Sequence, residues 1–176
     1  MKMIMKLSLS VLIFFCLLSQ SIIAQEGGWQ NLEWGMEIDE VLKEYPNAIE
    51  KDSPSRYQNP YGIMKNNPIR LERYRLVEIS FYVDFVFDED KLVGVVLGAD
   101  DSTSMSTKYS RVLNGLISRY GEPIITEEGS DIGSKHNVWE TEDTQIRANY
   151  ITSDYIDSYA IRLSYWMVDD TELDKF

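Results

Sequence analysis

Between Ile79 and Phe87 the chain alternates with a period of two. Ile79, Phe81, Val83, Phe85 and Phe87 are large and apolar, and Ser80, Tyr82, Asp84 and Val86 stand between them. Successive side chains of an extended strand point to opposite faces, so the run places five apolar groups on one face and leaves a wetter one behind. Asp88-Glu89-Asp90-Lys91 then turns the chain into the β-branched segment from Leu92 to Leu97, which contains Gly94; the two runs read as an antiparallel hairpin. Ile69 to Val77 supplies the strand before it. Further on, Asn137 to Thr141, Thr144 to Ile151 and Tyr159 to Trp166 read as strands, joined by Glu142-Asp143 and by Thr152 to Ser158.

Two helices cover this sheet. Ile38, Val41, Leu42 and Tyr45 fall at i, i+3, i+4 and i+7 with charged residues on the other faces, and Pro46 stops the helix at Tyr45. Acids in its first turn suit the positive end of the helix dipole. Tyr109, Val112, Leu113, Leu116, Ile117 and Tyr120 form a second stripe, closed by Gly121 and Pro123. Gly115 lies inside that helix at a cost of up to about 1 kcal/mol relative to alanine, which predicts close packing on the sheet there. The expected fold is α+β: an antiparallel sheet of about five to seven strands with two helices packed on one face. Val41-Leu42-Lys43-Glu44-Tyr45-Pro46-Asn47 is also similar to Leu116-Ile117-Ser118-Arg119-Tyr120-Gly121-Glu122, and a meander follows each. This suggests a helix-plus-meander duplication over 29–100 and 104–168.

The chain's 176 residues carry 17 Lys and Arg against 29 Asp and Glu, a formal charge of -12. Two of the lysines, Lys2 and Lys6, open a leader in which Leu7 to Leu18 form the apolar core and Ser19 to Ala24 lead polar-then-small into Gln25. This is the pattern of a secretory signal peptide over 1–24; the apolar run is too short for a bilayer, which takes roughly 20 residues. Phe14 and Phe15 before Cys16 do not suit a lipidation site. The expected product is an exported, periplasmic or secreted bacterial protein consisting of one domain, 25–176, with no stable membrane insertion. Without the leader 15 basic residues face the same 29 acids, so the net charge is -14. With a pI near 4.5, nucleic acid and anionic lipid are poor partners.

Cleavage also removes Cys16, the only cysteine, and leaves His136 as the only histidine. Disulfide scaffolds, thiol catalysis and Cys/His zinc sites drop out with it. The acidic pairs Asp88/Asp90, Asp100/Asp101, Glu127/Glu128, Glu140/Glu142 and Asp169/Asp170 invite comparison with glycosidase carboxylates, but they fall in turns or at strand ends and read as solvated. Asp88-Glu89-Asp90 lacks the glycine and distal glutamate of an EF-hand loop, and Asp100-Asp101-Ser102-Thr103 is too short to fill a calcium shell. His136 falls in a glycine-bearing loop with no nucleophile motif beside it. In Gly129-Ser130-Asp131-Ile132-Gly133 the serine is second, not third, and misses the nucleophile elbow. No catalytic residue, metal or cofactor is expected.

Trp34-Gly35-Met36-Glu37-Ile38-Asp39-Glu40-Val41 resembles the W-G-M-x-x-x-E-V helix entry of small bacterial envelope proteins. These are of the type of the small lipoprotein of the outer-membrane β-barrel assembly machine (BamE-like) and the related β-lactamase-inhibitor-protein fold. Phe85-Val86-Phe87-Asp88-Glu89-Asp90-Lys91-Leu92 and Arg119-Tyr120-Gly121-Glu122-Pro123 are similar to the hairpin and second-helix end of exported proteins with this layout. Glu37 stands where the pattern has a small polar N-cap, and the lipidated cysteine has no match. The resemblance implies a two-layer scaffold that binds other proteins, and it transfers no catalytic residue.

The segment from Ser53 to Pro68 holds three of the five prolines and reads as a sixteen-residue connection without periodicity, a length that marks functional loops. Arg56, Tyr57, Tyr61 and Lys65 make it the most basic stretch of an acidic chain, rich in residue types favoured at binding hot spots. They are the candidate partner-binding residues; the other reading is a floppy insertion whose tyrosines pack back on the sheet. Trp29, Trp34, Trp139 and Trp166 read as core and sheet-edge packing, with carbohydrate stacking as the other use. The expected function is a non-enzymatic cell-envelope protein that binds an envelope protein partner. The alternative is a small-ligand or glycan-binding protein using an aromatic face, and the third reading is a carboxylate-dependent hydrolase.

Overall fold

The alternating run from Ile79 to Phe87 forms the centre of the molecule: Ile79, Phe81, Val83, Phe85 and Phe87 are all buried in one cluster. The computed structural model describes residues 28–101, 105–129, 133–153 and 158–168; the leader and Cys16 lie outside them. In chain order a small hairpin, β1 (Gly28–Trp29) and β2 (Leu32–Glu33), precedes helix α1 (Ile38–Glu44). Four strands follow, β3 (Ile49–Gln58), β4 (Met64–Leu76), β5 (Ile79–Asp88) and β6 (Lys91–Asp101). Then come helix α2 (Met105–Tyr120) and four more strands, β7 (Ile125–Glu128), β8 (Lys135–Glu140), β9 (Thr144–Ser153) and β10 (Ser158–Met167). The long strands join in one antiparallel sheet with the order β3-β4-β5-β6-β10-β9-β8-β7. Each half of the chain thus lays down a helix and a four-strand meander, and the last strands of the two meanders pair with Leu97 opposite Leu163.

The α+β class holds, with two finer corrections. The sheet has eight strands, not five to seven, because its outermost strands β3 and β7 leave nearly every side chain in water. An edge strand that buries no face carries no period-two pattern to read. Nor do the two helices share the covering equally. α2 packs on β9 and β10 through Met105, Tyr109, Val112 and Leu116, whereas α1 is two turns long and buries Val41 alone.

The Trp34-Gly35-Met36 segment acts as a strap. The Gly35 N–H donates to the Leu92 carbonyl at 2.8 Å, the Leu92 N–H returns the bond to Met36 at 2.8 Å, and the Trp34 indole N–H donates to the Thr144 hydroxyl at 2.9 Å. Glu37 serves the helix start without being small: its N–H donates to the Glu40 carboxylate at 2.8 Å, and its own carboxylate pairs with Lys91 at 2.8 Å.

The expected loop from Ser53 to Pro68 is instead the end of β3, a turn and the start of β4. Its lack of periodicity comes from register shifts between Glu50 and Ser55 in β3 and between Asn66 and Ile69 in β4; such bulges add residues on one strand and bend it. The tip is tied by Asn59, whose side-chain oxygen accepts from the N–H groups of Tyr61 at 3.0 Å and Ile63 at 2.8 Å. Tyr57 joins Val86, Val93, Val96 and Trp166 in a small second cluster, so the wetter face of β5 is roofed where Asp84 and Val86 stand. That roof needs two glycines in β6. A Cβ at Gly94 would meet the Trp166 ring at 2.5 Å and one at Gly98 the Tyr82 ring at 2.1 Å, so both aromatics lie flat on bare backbone.

Candidate functional site

A cleft of about 730 Å³ opens on the helix-covered side of the sheet. α2 forms one side of it with Val112, Gly115, Leu116, Arg119 and Tyr120, while β9 and β10 supply Ile146, Leu163 and Tyr165. Trp29 of β1 and Tyr74 of β4 close it from the other meander, and the β4–β5 and β8–β9 turns complete the rim. Trp29 is held by a nest of rings, with centroids 5.1 Å from Tyr74, 5.8 Å from Tyr45 and 6.5 Å from Tyr165. Aromatic walls fixed in this way present apolar area at little further entropic cost.

Gly115 corrects an expectation. It packs closely on nothing: a Cβ placed there would meet no atom within 4 Å, and the residue is exposed on the cleft side of α2. The missing side chain keeps that part of the cleft open. A second departure from stability lies at the rim, where the two-residue turn Val77-Glu78 has φ of 49° and 66°. The left-handed region suits Asn or Gly in such hairpins, and a β-branched valine is strained in it. Val77 lines the cleft, and Glu78 pairs with Arg111 of α2 at 2.8 Å.

On the α2 side the polar groups of the cleft are three phenols and a guanidinium, and the β8–β9 turn adds Thr141, Glu142, Asp143 and Thr144 at the rim. Burial pushes the Tyr74, Tyr120 and Tyr165 hydroxyls up from their ordinary value, and the charge of Arg119 opposes that rise in all three. One cation therefore sits within electrostatic reach of three phenols. Its guanidinium lies 5.3 Å from the Tyr120 ring centroid. On the β8–β9 turn Asp143 is stabilised by two hydroxyls, from Thr141 at 3.3 Å and Thr144 at 3.0 Å.

The opposite face of the sheet holds a buried charge network. Asp84 is fully buried and receives a fork from Arg70 at 2.6 and 2.7 Å, the Tyr57 hydroxyl at 2.6 Å and the more distant Lys51 ammonium at 3.7 Å. Such a pairing offsets the cost of taking a carboxylate out of water. Burial, then the Asp84 bond, push the Tyr57 phenol well above its usual range. Two of the four candidate partner-binding residues are thus used inside the fold: Tyr57 here, and Lys65, buried and paired with Asp88 at 2.5 Å. Arg56 is exposed on the tip hairpin, where it donates to the Met64 carbonyl at 3.4 Å, and Tyr61 is half-buried in the turn. The four do not form one surface.

The other candidates are also dispersed. His136 is not in a loop but in β8, half-buried and hydrogen-bonded to Asn149. Glu127 and Glu128 are successive residues of a strand and face opposite ways. Glu89 and Asp90 form the exposed β5–β6 turn. Asp169, Asp170, Ser130 and the side chains of Asp100 and Asp101 lie outside the described residues. Among the described residues no three His, Cys, Asp or Glu side chains gather closely enough to hold a metal ion. Trp29, Trp139 and Trp166 are buried. The sequence marks Trp29, Leu116, Tyr120 and Arg119 as separate features, but their meeting across two meanders has no local signal.

Searches against protein-family models, curated proteins and solved structures gave no match.

Proposed function

We propose that this chain is an exported, non-enzymatic binding protein of the bacterial cell envelope, and that its cleft holds a small, largely apolar ligand. The observation that carries this reading is a cleft of about 730 Å³ walled by Trp29, Tyr74, Tyr120 and Tyr165, within the size range of small-molecule sites. Gly115 and Val77 support it, because both give up stability where they line the cleft. This ligand-binding reading is preferred to docking of a protein on residues 53–68, since Tyr57 and Lys65 there are already engaged with Asp84 and Asp88.

The test uses a neutral fluorescent probe, N-phenyl-1-naphthylamine, and the variant Gly115→Leu. The leucine side chain projects into the cleft, while replacing a helix-interior glycine stabilises α2 by roughly 0.8–1 kcal/mol. The expected pair of results is a probe that binds the wild type and brightens, and a variant that melts higher yet binds at least tenfold more weakly. A wild type that leaves the probe dark, or a variant that binds it as well, rejects the cleft as a ligand site.

A further inference from the structure

Among the described residues Arg119 has no carboxylate within ion-pair distance, and the hydroxyls of Tyr74 and Tyr165 have no hydrogen-bond partner. Tyr165 is only 7% exposed. Tyr165 lines the cleft, and its hydroxyl is not among the buried polar atoms left unpaired, so the oxygen reaches the cleft and is free to donate to an acceptor there. A guanidinium adds several fixed donors and a permanent charge. Together they form an acceptor site on the α2 side of an otherwise apolar cleft.

Resting on the cleft reading above, we infer that the ligand is an amphiphile with one carboxylate on an apolar body, the carboxylate held by Arg119 with the hydroxyls of Tyr74, Tyr120 and Tyr165 and the body lying against Trp29, Leu116 and Leu163. One guanidinium matches one negative charge. A dianion would bring a second charge into apolar surroundings without a counterion, which is costly. The cleft also has an acidic side, and it does not compete for the same place. Asp143 already accepts from Thr141 and Thr144, Glu142 is exposed, and both belong to the β8–β9 turn. That acidic rim selects further against multiply charged anions. The three phenols remain neutral donors at physiological pH, as their burial dictates.

The experiment compares two probes of equal length, decanoate and decanol, as competitors of N-phenyl-1-naphthylamine on the intact protein at pH 7.5 and low salt. The wild type is expected to bind decanoate at least tenfold more tightly than decanol, the scale of charge-assisted hydrogen bonds. Arg119→Gln brings decanoate down to the level of decanol, and Arg119→Lys, which keeps the charge, recovers part of the difference. Tyr165→Phe removes one hydroxyl and no ring, and weakens decanoate severalfold with decanol as the internal reference. Equal binding of the two probes by the wild type, or a preference that survives Arg119→Gln, overturns the carboxylate assignment while the cleft reading stands. Absence of displacement by either probe from a wild type that binds the neutral dye also overturns it. A wild type that does not bind the dye returns the failure to the cleft itself.

Discussion

At the residue scale, the most consequential side chain that the sequence misplaces is Asp84. Period-two reasoning assigns it to the wetter face of β5, and it does point away from the main core, yet it is fully buried under the β3–β4 hairpin. What local pattern cannot show is that Tyr57, 27 positions earlier, bends over to bond it. Arg70 meets Asp84 as a direct cross-strand neighbour on β4 and supplies both prongs of the fork. Arg70→Met leaves this carboxylate buried with one hydroxyl and a distant ammonium, and is expected to cost about 3 kcal/mol. For a domain of this size that lowers the thermal midpoint by roughly 6–12 °C. Arg70→Met combined with Asp84→Leu removes both charges and is expected to recover most of the loss, since an apolar pair of similar volume often replaces a buried ion pair without penalty. Thermal melts of the two variants decide it: a single variant that melts like the wild type, or a double variant no better than the single, removes the network from the account of stability.

At the scale of elements, the strands that bury a face are legible in the sequence and those at the edges are not. β5, β6, β9 and β10 carry alternating or continuous apolar residues, which place them within a few positions of where they lie. β3 and β7 expose nearly all their side chains, and three register shifts break what pattern β3 and β4 have. Helix α2 is legible from its stripe, but the glycine inside it points to close packing where it in fact marks an opening. The same ambiguity lies in the β4–β5 turn. Val77-Glu78 breaks the residue preferences of a two-residue hairpin, so the sequence extends a strand through Val77 where the chain in fact reverses. Left-handed conformations cost a non-glycine residue of order 1–3 kcal/mol. Val77→Asn, which tolerates that region, is expected to stabilise the protein by about 1 kcal/mol and to raise the midpoint by roughly 2–4 °C. A midpoint that falls would show instead that the valine side chain contributes more by packing at the cleft rim than its backbone loses.

At the scale of the whole molecule, the two meanders join along β6 and β10, and aromatic residues add long-range polar contacts. Trp34 of the first half bonds Thr144 of the second. Within the second half, the Tyr109 hydroxyl donates from α2 to the Ala148 carbonyl at 3.1 Å and accepts from Asn137 at 2.6 Å. Burial pushes the phenols of Tyr109 and Tyr165 up and that of Tyr45 up to about 12. A raised phenol keeps its proton in the folded state at a pH where the unfolded chain has released it, so the unfolded state binds fewer protons and stability falls as pH rises. These phenols therefore leave stability untouched below pH 9 and remove it progressively above pH about 10, the value of a free tyrosine. Tyr109 and Tyr165 are 2% and 7% exposed, and each takes away about 1.4 kcal/mol per pH unit. Against a total of about 5–15 kcal/mol, these groups and the other raised tyrosines erode stability together above that pH. An alkaline titration is expected to show exposed phenols ionising first at 295 nm, then a cooperative burst that coincides with the loss of circular dichroism. Complete ionisation near pH 10 with the fold intact would mean that these phenols are reachable by hydroxide in the native state, and that the cleft is wetter than its geometry indicates.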